Sequence, residues 1–428
     1  MQLVVVAELL TAPYQGLPDV VATSEQFDEM LGQLANGTGP FAVDAERASG
    51  YRYSSRAYLI QIKRRDGGLH LIDPIPFGPG DIHFQKLNEL WNGEEVILHA
   101  STQDLPCLRE LGLNPTQLFD TELAGRLVGL PRVGLGALVE SLLDIGLAKE
   151  HSAQDWSIRP LPEDWLNYAA LDVELLIELR NEIEKLLIEK KKLEWAHEEF
   201  AAILAAPPAA KRVDPWRRTS GMHKVRKRQQ LAIVKSIWEA RDDLAAHLDI
   251  SPGRVLSDLA ISTIALASDS APLTSKKELE KVLRPIGLRA RWFENTPRWL
   301  KAIDAALALS EDDCPPTRTK SEALPPIKMW RDRFPEKFIP LSHARHEMSQ
   351  KAAELELPVE NLLTPELLRQ VCWRLPAPED IPGLLRELGA RPWQIDLATP
   401  ILAYALQQSE ALELPEEETA EAPDAPAE

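Results

Sequence analysis

The sequence predicts an α/β domain followed by two all-α domains. First, residues from about 21 to 205 alternate short β-rich runs with amphipathic helical patterns, which is typical of an α/β layer fold. Second, the chain beyond residue 206 has a helical pattern throughout, with breaks at Pro207-Pro208, Pro315-Pro316 and Pro325-Pro326. Third, 428 residues with 44% hydrophobic content exceed what one compact core usually holds.

In the α/β part, runs rich in β-branched residues predict strands, and the turn Asp66-Gly67-Gly68 predicts a hairpin. Apolar residues at helical spacing predict helices, and Pro162 suits the first turn of the last one. The predicted strands are Phe41–Ala45, Tyr58–Lys63, Leu69–Ile72 and Val96–His99. The predicted helices are Ser24–Ala35, Thr102–Leu111, Gly134–Gly146 and one long helix from Pro162 to about Leu204.

The net charge of −18 argues at first against a nucleic-acid partner, because the phosphate backbone is bound mainly through Lys and Arg. The charge is unevenly distributed, however. Residues 410–428 contain eight acids and no base, in a Pro/Ala/Glu-rich run that predicts a disordered tail. Residues 211–228 contain eight bases and the single acid Asp214, so this segment can form a local surface for phosphates.

The basic segment also contains Trp216, which could stack on a base. The alternative interpretation, a solvated linker, is equally open. The bases expected to bind nucleic acid are Arg217, Arg218, Lys224, Arg226, Lys227 and Arg228.

Cysteine usage and hydropathy indicate a cytoplasmic protein without a membrane partner. Cys107, Cys314 and Cys372 form no CxxC pair, which argues against a zinc site and a disulfide framework. The opening residues lack the basic segment of a signal peptide. No run approaches the ~18 apolar residues that a spanning helix needs.

Four carboxylates stand out in the α/β part. Asp44 and Glu46 end an apolar run, and residues two apart on a strand point to one face. Asp104 follows the fourth predicted strand, and Asp172 lies one helical turn after Tyr168 on the same face. Because carboxylates gathered in one pocket repel each other, their convergence predicts a site for divalent cations.

The Asp-x-Glu pattern is uninformative alone, because it also occurs at Asp120/Glu122 and Asp172/Glu174. Its context distinguishes the first copy: an acidic pair that ends a buried strand is costly to desolvate unless it is paired or bound to a metal.

Three motifs carry a family resemblance. They are Val43-Asp44-Ala45-Glu46, Leu98-His99-Ala100-Ser101-Thr102-Gln103-Asp104-Leu105 and Tyr168-Ala169-Ala170-Leu171-Asp172-Val173, the last preceded by Asp155-Trp156-Ser157-Ile158-Arg159-Pro160-Leu161. With these motifs the sequence resembles the DEDD exonucleases of the tyrosine subclass, and within them the ribonuclease D family. The resemblance covers about 180 residues. It implies an RNase H-like fold, with a mixed sheet flanked by helices.

The resemblance also implies roles for the five residues. Asp44 would bridge two metal ions, Glu46 and Asp172 would complete the ligands of the first ion, and Asp104 would help to hold the second. Tyr168 would orient the attacking water; an unperturbed phenol, with a pKa near ~10, is a poor base. Hard oxygen ligands favour Mg²⁺ or Mn²⁺. The implied reaction is 3′ to 5′ hydrolysis of RNA with a free 3′ end, including tRNA precursors, to nucleoside 5′-monophosphates.

The downstream helical segments are similar to HRDC domains, which are small nucleic-acid-binding modules. The first match rests on Arg228-Gln229-Gln230-Leu231, Trp238-Glu239-Ala240-Arg241-Asp242 and Leu256-Ser257-Asp258, and the second is degenerate. The expected division is an N-terminal segment 1–20, an exonuclease domain 21–205, a basic linker 206–222, an HRDC domain 223–310, a linker 311–330, a second HRDC-like domain 331–408 and an acidic tail 409–428.

Two alternatives stay open at this point. A DNA-directed 3′-5′ exonuclease of the Werner type would use the same four carboxylates, and none of the motifs reports on the ribose 2′-hydroxyl. A non-catalytic RNA-binding scaffold would retain the fold without needing the complete acidic set.

Overall fold

The computed structural model describes residues 8–148, 154–210, 212–269, 273–287, 289–318 and 324–412. We call residues 8–210 the α/β domain, residues 212–318 the middle helical domain and residues 324–412 the C-terminal helical domain. Within the described part of the chain, no helix combines the length and apolar character that crossing a membrane requires.

The α/β domain is built on a six-stranded mixed sheet with the order β2-β5-β4-β3-β6-β7. Strand β4 runs antiparallel to both of its neighbours, and the other pairs in the sheet are parallel. A separate parallel pair joins β1 to β8. The expected mixed sheet is therefore confirmed. The strands are β1 (Glu8–Leu10), β2 (Val20–Val21), β3 (Thr38–Arg47), β4 (Ala57–Arg65), β5 (Gly68–Ile72), β6 (Glu95–Leu98), β7 (Gln117–Asp120) and β8 (Ile145–Leu147).

Eight α-helices surround this sheet in the described residues. The first begins after Thr23, whose hydroxyl accepts from the backbone of Gln26 while the Gln26 side chain bonds back, which satisfies amides left free at a helix start. The helices are α1 (Ser24–Asn36), α2 (Ile82–Trp91), α3 (Leu105–Glu110), α4 (Thr121–Leu127), α5 (Leu135–Leu143), α6 (Glu163–Glu174), α7 (Leu176–Glu189) and α8 (Leu193–Ala205).

The hairpin predicted at Asp66-Gly67-Gly68 is confirmed, since it joins the antiparallel strands β4 and β5. The long helix predicted from Pro162 to Leu204 is wrong, because the chain breaks into α6, α7 and α8. Lys191 adopts a left-handed backbone with φ of 58°, which an α-helix cannot continue through.

Two further elements differ from the prediction. The helix expected to reach Gly146 ends at Leu143, because Asp144 turns the chain with φ of 57° and Gly146 then pairs with β1. The helix predicted from Thr102 starts only at Leu105.

The middle helical domain has its own hydrophobic core. Trp216 belongs to this core and is only 2% exposed. The segment 206–222, expected to be a linker, therefore contributes packing to the domain. The α-helices of the middle helical domain are α9 (Arg228–Leu248), α10 (Pro252–Val255), α11 (Asp258–Ala267), α12 (Lys276–Leu283) and α13 (Thr296–Leu307). Its 3₁₀ turns are Pro215–Arg218, Met222–Lys224, Arg284–Ile286 and Ala290–Phe293.

The C-terminal helical domain shares one continuous hydrophobic core with the α/β domain. The Trp195 and Trp393 rings stack at 4.7 Å, and the Trp393 indole donates to Glu199 of α8. The Lys192 ammonium donates to the backbone carbonyls of Leu127 and Leu355, which lie in different domains. The α-helices of the C-terminal helical domain are α14 (Trp330–Arg333), α15 (Pro335–Glu354), α16 (Val359–Leu362), α17 (Pro365–Arg374), α18 (Ile381–Glu387) and α19 (Pro392–Ala405). Its 3₁₀ turns are Ile327–Met329 and Pro378–Asp380.

The tail predicted to start at residue 409 is attached to this domain at its beginning. The Glu410 carbonyl bonds to the His343 ring, and the Leu412 amide donates to the Ser342 hydroxyl. Residues 413–428, which carry most of the predicted disordered tail, lie outside the described residues.

The middle helical domain contacts the loop that joins β3 to β4. Asp249, at the C-terminal end of α9, accepts hydrogen bonds from the Ser54 amide at 2.9 Å and the Tyr58 hydroxyl at 3.2 Å. Arg254 donates to the Gly50 carbonyl at 2.8 Å and lies over the Tyr51 ring at 4.0 Å. The domain is thereby fixed next to the strand end that carries Asp44 and Glu46.

Candidate active site

Asp44 and Glu46 lie near the C-terminal end of β3, a central strand of the sheet. The preceding residues Phe41, Ala42 and Val43 are all completely buried, which fixes the strand between the layers on both faces. Since side chains alternate along a strand, the two acids point to the same face. Glu46 is only 9% exposed.

Helix α6 packs across β3, β4 and β5 and supplies the third acid. Carboxylate oxygens of Asp44, Glu46 and Asp172 all lie within 4.8 Å of one another. The Tyr168 hydroxyl, one helical turn before Asp172, donates a hydrogen bond to its carboxylate. The structure thus brings these four side chains together, as the family resemblance implies.

Asp104 stands beside this group of three, directly before α3, and is 5% exposed. Its negative charge acts on Glu46 and on Asp172 and contributes to the raised pKa of each. The Arg47 guanidinium lies 3.8 Å from the Asp104 carboxylate and partly offsets the charge. All four predicted acids are therefore close enough for their charges to interact.

Burial is the largest cause of the raised pKa of each of these four acids. It raises the pKa of Asp44 to about 6, against the opposing effects of the Ala45 amide and Arg47. Burial, followed by repulsion from neighbouring acids, raises the pKa of each of the other three carboxyls well above its usual range. Buried carboxylates that repel one another at this distance provide the hard oxygen ligands that fit divalent cations such as Mg²⁺ or Mn²⁺.

Tyr168 is held in its neutral form. Burial first, and then the negative charges of Asp172, Glu46 and Asp44, raise the pKa of the phenol above its ordinary value. The hydroxyl is therefore a hydrogen-bond donor at neutral pH rather than a base.

Arg159 anchors the loop that precedes α6. Its guanidinium donates to both oxygens of Asp73, at 2.6 and 2.8 Å, and to the backbone carbonyl of Tyr58 at 2.6 Å. His99 also has a structural contact, since its ring forms a hydrogen bond with the Thr121 hydroxyl at 2.9 Å.

Sequence reasoning missed Asp120. Its carboxylate accepts from the backbone amides of Ala100 and Ser101 and from the Ser101 hydroxyl, so it holds the turn that leads to Asp104. Ala100 has a left-handed φ of 56° in this turn. The available signal was the position of Asp120 at the end of an apolar run, the same signal that singled out Asp44.

The basic segment belongs to the middle helical domain rather than to the carboxylate site. Trp216 is buried, so its ring cannot stack on a base as expected; the Arg217 guanidinium covers it at 4.3 Å and pairs with Asp214. Arg228 donates to the carbonyls of Asp312 and Cys314.

The other four bases that were expected to bind nucleic acid are exposed, although Lys227 pairs with Asp269. They are Arg218, Lys224, Arg226 and Lys227.

Comparison with known proteins identifies relatives of both ends of the chain. Residues 18–188 match the family model described as a 3′-5′ exonuclease, and residues 323–406 match the model described as a 3′ to 5′ exonuclease C-terminal domain. Ribonuclease D of Zymomonas mobilis is 32% identical over 283 residues, covering 64% of this chain and 69% of that protein. Ribonuclease D of Acidiphilium cryptum is 32% identical over 258 residues; the match covers 58% of this chain, and the chain spans 63% of that relative's length.

Solved structures extend the likeness to nearly the whole chain. A protein from Bifidobacterium adolescentis has a TM-score of 0.83 and 38% identity, covering 94% of this chain and all of that one. The structure of Escherichia coli RNase D, described as an exoribonuclease involved in structured RNA processing, has a TM-score of 0.65 at 22% identity, covering 91% of this chain and 98% of that one. The RNase H-like exonuclease fold, followed by a helical C-terminal region, is therefore shared with these proteins.

Proposed function

Because the chain belongs to the ribonuclease D family of the DEDD exonucleases, we propose that it is a metal-dependent 3′ to 5′ exoribonuclease that releases nucleoside 5′-monophosphates. The single observation that carries the proposal is the meeting of Asp44, Glu46 and Asp172, whose carboxylate oxygens lie within 4.8 Å of one another. Two of these acids come from β3 and one from α6, so the sheet and the helix jointly form the site.

We assign the acids Asp44, Glu46, Asp104 and Asp172 as ligands for two Mg²⁺ or Mn²⁺ ions. When bound, two such ions would supply activation of the attacking water and stabilisation of the departing oxygen. The chain's own contribution is a rigid set of oxygen ligands, buried enough that their mutual repulsion favours cation binding.

Tyr168 orients the attacking water in this proposal. Its hydroxyl donates to Asp172, which holds the ring in place, while the phenol oxygen can accept a hydrogen bond from water. Because its pKa is raised, the phenol stays protonated over the whole neutral range. We therefore expect Tyr168→Phe to lower kcat with little change in KM.

We propose that the middle and C-terminal helical domains are HRDC-type modules that hold RNA with a free 3′ end, including tRNA precursors. The exposed bases Arg218, Lys224, Arg226 and Lys227 are the candidate phosphate contacts, and Arg217 and Arg228 are assigned to structure. The described cysteines are buried and unpaired, which suits a reducing, cytoplasmic compartment.

A time course on a 3′-extended tRNA tests this proposal, with Mg²⁺ or with EDTA and with identification of the products. We expect 5′-monophosphates to appear from the 3′ end, in Mg²⁺ only. Asp44→Ala is expected to abolish turnover while RNA binding remains. The matched control is Glu122→Gln, from the Asp120/Glu122 copy of the Asp-x-Glu pattern, whose carboxylate pairs with Arg126 at 2.7 Å.

Three outcomes would contradict the proposal. Undiminished cleavage by Asp44→Ala would remove the carboxylate site from the reaction. RNA binding without any cleavage by the wild-type chain would favour the scaffold. Faster digestion of a DNA oligonucleotide than of the matched RNA would overturn the substrate class.

A further inference from the structure

Gln61 is a buried amide without a hydrogen-bond partner. The residue is completely buried on β4, and neither its Oε1 nor its Nε2 has a partner among the described residues. A buried side-chain amide normally satisfies both atoms, because leaving them unpaired in the interior is unfavourable. Gln230, buried in α9, follows this rule: its Nε2 donates to Asp269, and its Oε1 accepts from two backbone amides.

The register of the sheet places Gln61 against the acidic site. Gln61 is the cross-strand partner of Asp44, and directly opposed residues in an antiparallel pair point to the same face, with Cβ atoms roughly 5 Å apart. The Gln61 amide therefore lies on the face of the sheet that carries Asp44 and Glu46.

The neighbours of Gln61 on β4 locate it under α6. Leu59, two residues before, packs in a cluster with Ala169 and Ala170. Lys63, two residues after, forms an ion pair with Glu174 at 3.2 Å. Gln61 lies between these two contacts and hence under the helical turn that carries Asp172.

The position of Gln61 does not require an amide for packing. Leu59 on β4 and Leu71, its partner on β5, lie beside it on the same face and are completely buried apolar residues, so an apolar side chain of similar length would fill the same space. The amide is therefore best explained by the acids on the same face of the sheet, whose carboxylate oxygens can accept hydrogen bonds from it.

We propose that Gln61 is a positioning residue of the cation site. With cations bound, its Nε2 would donate to the oxygens of Asp44 and Asp172 that the cations leave free, and this would hold both carboxylates in the orientation in which they bind the cations. Its Oε1 is also without a partner among the described residues and could accept from the solvent that hydrated cations bring with them. The inference rests on the proposed function, because it assumes that these acids bind divalent cations.

Gln61→Met tests this role, because Met is similarly long and unbranched but lacks the amide. Mn²⁺ affinity is measured by titration calorimetry without RNA, and thermal unfolding is measured in EDTA. We expect Mn²⁺ affinity to fall ~10-fold to 100-fold, the usual effect of removing a partner of a metal ligand. We expect the melting temperature in EDTA to stay the same or to rise, because an unpaired buried amide has been removed.

Gln230→Met is the matched control. It removes an amide that is fully hydrogen-bonded and remote from the site, so we expect a lower melting temperature and wild-type Mn²⁺ affinity. Gln61→Leu is the second variant and is expected to behave like Gln61→Met.

Wild-type Mn²⁺ affinity in both Gln61 variants would overturn the inference and leave the nuclease proposal standing. Lower melting temperatures in EDTA for both Gln61 variants would also overturn it, because they would show that the amide serves the fold. Absence of Mn²⁺ binding by the wild-type chain would instead refute the proposed function.

Discussion

Replacing Asp44 with Asn is expected to stabilise the metal-free protein while removing its response to metal. Burial raises the pKa of Asp44 from 3.8 to about 6, so the charged form is disfavoured in the folded state. At about 1.4 kcal/mol per tenfold change, this rise corresponds to about 3 kcal/mol of destabilisation at neutral pH. Asn has nearly the same shape, carries no charge and keeps an oxygen that can accept from the Ala45 amide.

The pH dependence of this effect has a defined sign. Below pH 3.8, Asp44 is protonated in both the folded and the unfolded state and contributes nothing. As the pH rises from 3.8 to about 6, the folded state holds its proton longer, so the free energy of unfolding decreases. Above about pH 6 the loss is complete, and the difference between Asp44→Asn and wild type reaches its full size.

Thermal unfolding in EDTA and in Mg²⁺, at pH 4 and at pH 7.5, measures this prediction. In EDTA at pH 7.5, we expect Asp44→Asn to melt several degrees above wild type, given ~2–4 °C per kcal/mol for a domain of this size. At pH 4 the difference should shrink. Mg²⁺ should raise the melting temperature of wild type and have a much smaller effect on the variant.

The control is Asp120→Asn, an acid at the end of a neighbouring strand in the same sheet. Because Asp120 accepts hydrogen bonds from Ser101 and from the backbone at the start of α4, we expect this change to lower the melting temperature. A lower melting temperature for Asp44→Asn than for wild type in EDTA would refute the claim that burial of the Asp44 charge destabilises the metal-free protein.

Three further predictions concern positions outside the acidic set. Arg159→Ala should lower kcat with Mn²⁺ affinity retained, because the loop before α6 loses its anchor on Asp73; unchanged steady-state kinetics would contradict this role. Trp393→Ala should lower the free energy of unfolding by about 3–5 kcal/mol, measured by urea denaturation, since the ring is buried and stacked on Trp195. Asp249→Ala should make the loop joining β3 to β4 more susceptible to limited proteolysis; an unchanged cleavage pattern would show that the middle helical domain is held elsewhere.

The acidic site could be predicted from the sequence because each pair of its side chains lies within a single strand or helix, where the spacing fixes the face to which both residues point. Two acids at the end of a buried strand share a face, and Tyr168 and Asp172 share a helix face, whatever the rest of the fold does. The meeting of Asp44 with Asp172 followed from the motif resemblance, since spacing alone does not bring a strand and a distant helix together.

Other features left no local signal in the sequence. The helix break at Lys191 involves neither Gly nor Pro, and strand β8 is only 3 residues long. Trp216, followed by two arginines, was expected to be able to stack on a base, but its burial depends on packing against α9. Gln61 stands in an apolar run, so only the register with Asp44 reveals its position.

The core that joins the α/β domain to the C-terminal helical domain has a consequence for biosynthesis. Residues 8–210 leave the ribosome well before residues 324–412, and the middle helical domain, with its own core, is made in between. The apolar surface around Trp195 and Phe200 therefore stays exposed until the C-terminal helical domain, which begins more than a hundred residues later, has been synthesised. We expect nascent chains that stop after the middle helical domain to aggregate or to recruit chaperones. The reason is that the shared core is completed only when the C-terminal helical domain has left the ribosome and packed against the α/β domain.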